Sequence, residues 1–131
     1  MRVLLDTHIA LWAITDDNRL PKVARELIED ADNSVFVSVM SLWEIAIKHA
    51  RQRGRANDMT TSALDAAKDF VDAGYEMLNV TTAHVLAVEE LPLLHRDPFD
   101  RMLVAQARVE PLRLLTVDRQ LLAYGEHVDL L

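Results

Sequence analysis

The chain has 131 residues, half of them apolar, with 14 basic and 21 acidic residues and a formal net charge of −7. It contains no cysteine, which excludes disulfide bonds and thiolate metal sites. The acidic balance argues against binding nucleic acid by broad neutralisation of phosphates, so a polyanionic substrate would need a cation at the site.

The first predicted element is a short, fully buried strand, Arg2–Leu5, which is bounded by Asp6. An apolar run that meets an acid so early is far short of a signal peptide or a membrane span. We therefore expect a cytoplasmic protein with no membrane partner. Asp6 is placed to cap a helix whose apolar residues include Ile9, Leu11 and Trp12.

The rest of the chain alternates helical patterns with short apolar strands. In order, the sequence predicts a helix from Pro21, a strand at Val35–Val39, a helix from Ser41 to about Arg53, a helix from Met59 to Ala73, a strand at Tyr75–Val80, a helix from Thr81 or Thr82 to about Leu91, a helix from Pro98 to about Val109, a strand at Leu112–Val117, a helical turn at Arg119–Tyr124 and a short edge strand at Val128–Leu131. The pattern predicts a single domain, residues 1–131, of the α/β class: a three-layer sandwich with a central, mostly parallel sheet of four to five strands.

Acidic residues fall where a parallel sheet binds ligands. The carboxyl ends of its strands and the amino ends of the following helices share one edge. Asp6 and Asp118 directly follow strands, and Glu44 lies in the first turn of the helix after the second strand. Asp97 and Asp100 open a later helix, three residues apart. We expect these carboxylates to converge at that edge.

Each acid also has a purely structural interpretation. Asp97 and Asp118 are suitable helix caps, Ser41 and Glu44 match a capping box, and Glu44 and Lys48 form an i,i+4 ion pair. Gathered at one edge, however, the carboxylates would repel one another unless a cation joined them. Because all candidate ligands are carboxylate oxygens, without cysteine or a His-x-x-x-His spacing, the ion should be hard: Mg²⁺ or Mn²⁺.

Four segments follow one another in this order: Leu4-Leu5-Asp6-Thr7-His8; Ser41-Leu42-Trp43-Glu44-Ile45; His95-Arg96-Asp97-Pro98-Phe99-Asp100-Arg101 with Leu103-Val104-Ala105-Gln106-Ala107; and Leu115-Thr116-Val117-Asp118. Together they resemble the PIN domain, and within it the VapC-type ribonuclease toxins of bacterial toxin–antitoxin pairs, over nearly the whole chain. The resemblance implies a parallel five-stranded sheet and an acidic metal site made by Asp6, Glu44, Asp100 and Asp118. It marks Asp97 as an additional acid of a subgroup and Thr116 as a hydroxyl that supports the site, although a structural role for this threonine at its strand end stays open.

The function that the resemblance implies is an Mg-dependent endoribonuclease, the toxin of a toxin–antitoxin pair. Asp6, Asp100 and Asp118 would hold one or two Mg²⁺ ions, with Mn²⁺ as a substitute. Glu44 would bind a second ion or orient the attacking water. The implied partners are RNA, a small antitoxin and a second copy of the chain.

Two other function classes stay open on the sequence. A phospho-acceptor or phosphohydrolase domain would use Asp6 beside Mg²⁺, but it needs a lysine at a later strand end, and no lysine follows Lys68. A non-catalytic binding module would use the acids as helix caps alone.

Three further sets of residues are interpreted from their spacing. The histidines are scattered and are interpreted as structural or surface residues: His8, His49, His84, His95 and His127. The one basic run is interpreted as a solvated helix end, with contact to an RNA backbone as the alternative: Lys48, Arg51, Arg53 and Arg55. A surplus of large apolar residues predicts a dimer or partner surface: Trp12, Trp43, Leu91, Leu93 and Leu94.

Overall fold

The structure is a computed structural model that describes residues 1–51 and 61–131. Its elements are, in chain order, β1 (Arg2–Leu5), α1 (Thr7–Ile14), α2 (Lys22–Glu29), β2 (Ser34–Ser38), α3 (Val39–Arg51), α4 (Ala63–Asp72), β3 (Glu76–Leu78), α5 (Thr82–Glu90), α6 (Pro98–Val109), β4 (Arg113–Thr116), a 3₁₀ helix (Arg119–Tyr124) and β5 (Val128–Leu130). Within these residues, no helix has the length and apolar character needed to cross a bilayer.

The five strands form one parallel sheet in the order β3-β2-β1-β4-β5. The first strand lies at its centre, where Leu4 pairs with Phe36 of β2 on one side and with Leu114 of β4 on the other. Strands β2 and β3 lie on one side of β1, and the later strands β4 and β5 lie on its other side. The boundary between β1 and β4 is therefore a topological switch point, the place where such sheets bind ligands.

Helices cover both faces of the sheet. Along β1, Val3 and Leu5 face a core that includes Ile9 and Phe70, whereas Leu4 faces a second core built mainly on α6 and β4. This alternation is the two-residue period of a strand that is buried on both faces. The prediction of a three-layer α/β sandwich with a parallel sheet is confirmed.

The start of α3 differs from the prediction. The helix begins at Val39, and the Oγ of Ser38 accepts a hydrogen bond from the backbone N–H of Met40 (3.0 Å). Ser41 is buried inside the helix, so the predicted capping box with Glu44 is wrong. Ser38, the last residue of β2, lies directly before the helix, where its hydroxyl reaches a free N–H of the first turn.

The predicted strand Tyr75–Val80 forms only over Glu76–Leu78, and the last helical turn is a 3₁₀ helix. Three sequence interpretations lie outside the described residues: the end of the third helix at Arg53, the start of the next at Met59, and the basic residue Arg55.

Candidate metal centre

All five predicted acids line one cavity of about 260 Å³: Asp6, Glu44, Asp97, Asp100 and Asp118. The cavity lies at the carboxyl edge of the sheet. Asp6 directly follows the end of β1, and Asp118 stands two residues after the end of β4. The switch point therefore brings together acids from both ends of the chain. This agrees with the edge rule for parallel sheets.

Asp6 joins β1 to α1 and is itself the cap of that helix. Its Oδ1 accepts the backbone N–H of Ile9 (3.0 Å), and its Oδ2 accepts the hydroxyl of Thr116 (2.5 Å). The same hydroxyl accepts the backbone N–H of Asp118 (3.0 Å). Burial raises the pKa of the Asp6 carboxyl above its ordinary value, and the hydrogen bonds from Ile9 and Thr116 oppose that rise. Thr116 thus ties two of the acids together across β1 and β4.

Glu44 enters the cavity from α3 with both carboxylate oxygens engaged. Its Oε1 accepts the hydroxyl of Thr7 (2.6 Å), which in turn lies 2.9 Å from the Oγ of Ser41. Its Oε2 accepts the ammonium group of Lys48 (2.7 Å), which is the predicted i,i+4 ion pair. Lys48 therefore compensates the charge of the almost fully buried Glu44 carboxylate. The interpretation of the basic run as a solvated helix end did not include this role of its first residue.

Asp97 and Asp100 open α6 but have different partners. Asp97 is the predicted cap, since its Oδ1 accepts the backbone N–H groups of Phe99 (2.8 Å) and Asp100 (3.3 Å). The side chain of Asp100 caps nothing and points to His95, whose Nε2 lies 3.0 Å from its Oδ2. Burial, followed by the negative charges of Asp97 and Asp6, raises the pKa of Asp100 to about 7, against the hydrogen bond from His95.

His95 lies beside the acids, a position that its interpretation as a structural or surface residue did not include. Its ring lines the cavity, and its Nε2 lies 3.3 Å from Oδ2 of Asp118 as well as beside Asp100. One ligand atom from each of these three side chains lies within 4.8 Å of the other two. His8 also lines the cavity, whereas His84 has the expected structural role.

A sequence signal for His95 did exist. The residue stands five positions before Asp100, in the connection that leads to the carboxyl edge of the sheet. The path of that connection, however, depends on contacts with residues distant in sequence. Spacing alone could not place the ring.

The donor set fits a hard divalent cation. Asp6, Asp100 and Asp118 offer carboxylate oxygens in one cavity, and that set suits Mg²⁺ or Mn²⁺. Burial raises the pKa of both Asp6 and Asp100, so their ionised forms are disfavoured in the metal-free cavity. A bound cation would reverse this effect by favouring the ionised carboxylates.

Comparison with known proteins agrees with the fold. The family model of the PIN domain matches residues 3–126. The chain is 31% identical over 119 residues to Ribonuclease VapC22 from Mycobacterium tuberculosis, covering 91% of this chain and 88% of that protein.

Two solved structures have a similar fold. A crystal structure of VapBC2 from Rickettsia felis bound to a promoter DNA fragment is similar with a TM-score of 0.69 and 17% identity, over 99% of this chain and 97% of the other. A toxin–antitoxin complex from Klebsiella pneumoniae gives a TM-score of 0.65 and 14% identity, over 97% and 95%. At these identities the two structures support the fold alone.

Proposed function

The chain belongs to the PIN-domain family, and from that premise we propose that residues 1–131 form a single nuclease domain: an Mg-dependent endoribonuclease that is the toxin of a toxin–antitoxin pair. The observation that carries the proposal is the convergence of five acids on one cavity at the switch point of the sheet. The relative from Mycobacterium tuberculosis, which carries the name ribonuclease, supports the choice of reaction.

Capping accounts for part of the acid set but not for all of it. Asp6, Asp97 and Asp118 each accept a backbone N–H at a helix start, as a binding module without catalysis would require. Asp100 is different because its side chain caps no helix and is held in the cavity at a raised pKa. An acid kept at such an electrostatic cost favours a metal site over capping.

In the proposed mechanism, Asp6, Asp100 and Asp118 would hold one or two Mg²⁺ ions, for which Mn²⁺ could substitute. The cation supplies charge stabilisation at the phosphoryl oxygen and activation of water when bound. Glu44 would bind a second ion or orient the attacking water, and Thr7 and Lys48 hold its two oxygens at the cavity. Thr116 keeps the Asp6 carboxylate in position, and Asp97 holds the start of α6.

The proposed partners are RNA, an antitoxin and a second copy of the chain, all in the cytoplasm. The acidic cavity suits an inhibitor that presents arginine. Exposed apolar side chains on α5 and the connection after it support an interface between copies: Val85, Leu86, Leu93 and Leu94. Of the other residues in the predicted apolar surplus, Trp43 is exposed, whereas Leu91 is buried and Trp12 packs against the core.

The test is incubation of the protein with total cellular RNA, with and without Mg²⁺, followed by mapping of the new RNA ends. We expect cleavage by the wild type in Mg²⁺ and none by Asp6→Asn or Asp100→Asn. Asp65→Asn is the matched control, because Asp65 is an exposed acid in the first turn of α4, outside the cavity. Cleavage that persists in EDTA or in both cavity variants would contradict the proposal.

A further inference from the structure

His95 lies next to the acids, and the buried side chains of Tyr124 and Arg101 form a hydrogen-bonded clamp beside it. The family resemblance gives these three residues no role. We propose that His95 is a positioning residue, which donates its Nε2 proton to Asp100 beside Asp118, and that Tyr124 and Arg101 hold it in place. The inference rests on the proposed metal site. It concerns the residues that hold the proposed ligands Asp100 and Asp118 in position.

The hydrogen bonds of the imidazole ring define its tautomer. The backbone N–H of Arg96 donates to Nδ1 of His95 (3.1 Å), so this nitrogen carries a lone pair and the proton is on Nε2. The Nε2 atom lies 3.0 Å from Oδ2 of Asp100, to which it donates, and 3.3 Å from Oδ2 of Asp118. A protonated nitrogen has no lone pair for a cation. In this arrangement His95 is a hydrogen-bond donor to Asp100 and not a metal ligand itself.

The hydroxyl of Tyr124 fixes the backbone of His95. It accepts the N–H of His95 (3.1 Å) and a guanidinium N–H of Arg101 (3.0 Å), and it donates to the carbonyl of Pro92 (3.0 Å). Tyr124 is almost fully buried at the end of the 3₁₀ helix, so its hydroxyl is held by packing as well as by these bonds. The connection between α5 and α6 is therefore tied to the C-terminal part of the chain just where His95 begins.

Arg101 completes the clamp from the helix that carries Asp100. Its side chain is 8% exposed, and besides Tyr124 it donates to the carbonyls of Pro92 (2.9 Å), Val88 (3.1 Å) and Leu91 (3.4 Å). Within the described residues its partners are carbonyl and hydroxyl oxygens, not carboxylates. A buried guanidinium is costly unless its donors are satisfied, and here they fasten the end of α5 to the start of α6.

The experiment measures Mn²⁺ affinity by isothermal titration calorimetry on the full chain, together with the melting temperature of each variant. We expect His95→Ala to lose about tenfold to a hundredfold in affinity, as for other groups that orient metal ligands. His95→Gln should stay close to wild type, because a glutamine amide can donate from the position of Nε2 without an imidazole nitrogen.

The clamp is tested with Tyr124→Phe, which removes one hydroxyl and keeps the ring. We expect an affinity between those of wild type and His95→Ala, and no further loss when Tyr124→Phe is added to His95→Ala. The chain offers a matched control in Tyr75→Phe, since Tyr75 is the other tyrosine and lies half-buried against Phe70, outside the cavity. This control should bind Mn²⁺ like wild type.

Each of the other outcomes overturns the inference. Equal loss in His95→Gln and His95→Ala would make the ring a ligand, and tighter binding in His95→Ala would mean that the ring occupies the cation's place. A Tyr124→Phe variant that melts lower but binds Mn²⁺ normally would make the clamp purely structural. In all three cases wild-type binding and RNA cleavage still stand, whereas a wild type that binds no Mn²⁺ defeats the proposed function as well.

Discussion

Asp100→Asn should stabilise the metal-free protein while abolishing RNA cleavage. In the folded state burial and the neighbouring acids raise the pKa of Asp100 to about 7 from an ordinary 3.8. The folded state therefore binds this proton more tightly than the unfolded state does. Wild-type stability should fall as pH rises from about 4 to about 7, and Asp100→Asn should lack that fall.

The magnitude follows from the size of the shift. About three pKa units correspond to roughly 4 kcal/mol above pH 7, if the whole shift is relieved. That pKa already includes the bond from His95, so only the favourable charge at the start of α6, worth about 1 kcal/mol, is deducted. We expect a net stabilisation of about 3 kcal/mol at pH 8, or roughly 12 °C in melting temperature for a chain of this size.

The assay is thermal melting of wild type and variant in EDTA at pH 5 and pH 8, then in Mg²⁺ at pH 8. In EDTA, the melting temperature of the variant should be higher than that of wild type at pH 8 and nearly equal to it at pH 5. Mg²⁺ should raise the melting temperature of the variant less, because the variant lacks a ligand. Asp65→Asn makes the same change in the first turn of α4, where it removes a helix-end charge outside the cavity. It should melt no higher than wild type at either pH. If Asp100→Asn behaves like this control, responds fully to Mg²⁺ and still cuts RNA, the reasoning is refuted.

Three further predictions concern the supports of the site and the surface. Thr116→Val should lower stability by about 1–3 kcal/mol in urea unfolding because it leaves buried partners unsatisfied, and Thr116→Ser should restore most of the loss; equal losses in both would contradict a role for the hydroxyl. Lys48→Met should cost about 1 kcal/mol or more by leaving Glu44 without its cation, and Glu44→Gln in the same chain should recover it; a double variant as unstable as the single one would count against that pairing. Leu93→Asp should dissociate a homodimer in light scattering, whereas Leu64→Asp, an exposed leucine on α4, should not; no change in either variant would remove Leu93 from the interface.

Much of the fold follows from local pattern. The uninterrupted apolar run of β1 predicts a strand that is covered on both faces, and its residues Val3, Leu4 and Leu5 are fully buried. The alternation of strands and helices then predicts a parallel sheet. The edge rule for such sheets is enough to expect Asp6 and Asp118 in one cavity, because it depends on strand direction and not on detailed packing.

The features that the sequence did not predict depend on contacts between distant residues. Ser41, predicted to begin α3, lies inside the helix, where its hydroxyl accepts a bond from Thr7, 34 residues away. The position of His95 depends on Tyr124, which is 29 residues away. No periodicity records a bond of that kind, so the ring could not be placed from its neighbours alone.

The central position of β1 has a consequence for the order in which the molecule can form. Thr116 and Asp6 are joined by a hydrogen bond across 110 residues of sequence, and β4 must pair with β1 before that bond exists. Closing so long a loop is entropically costly, and contacts between sequence-distant segments slow folding. A chain still emerging from the ribosome carries Asp6 and Glu44 well before it carries Asp100 and Asp118. The cavity is therefore complete only once β4 has paired with β1, and a nascent chain that ends before residue 97 lacks three of its five acids.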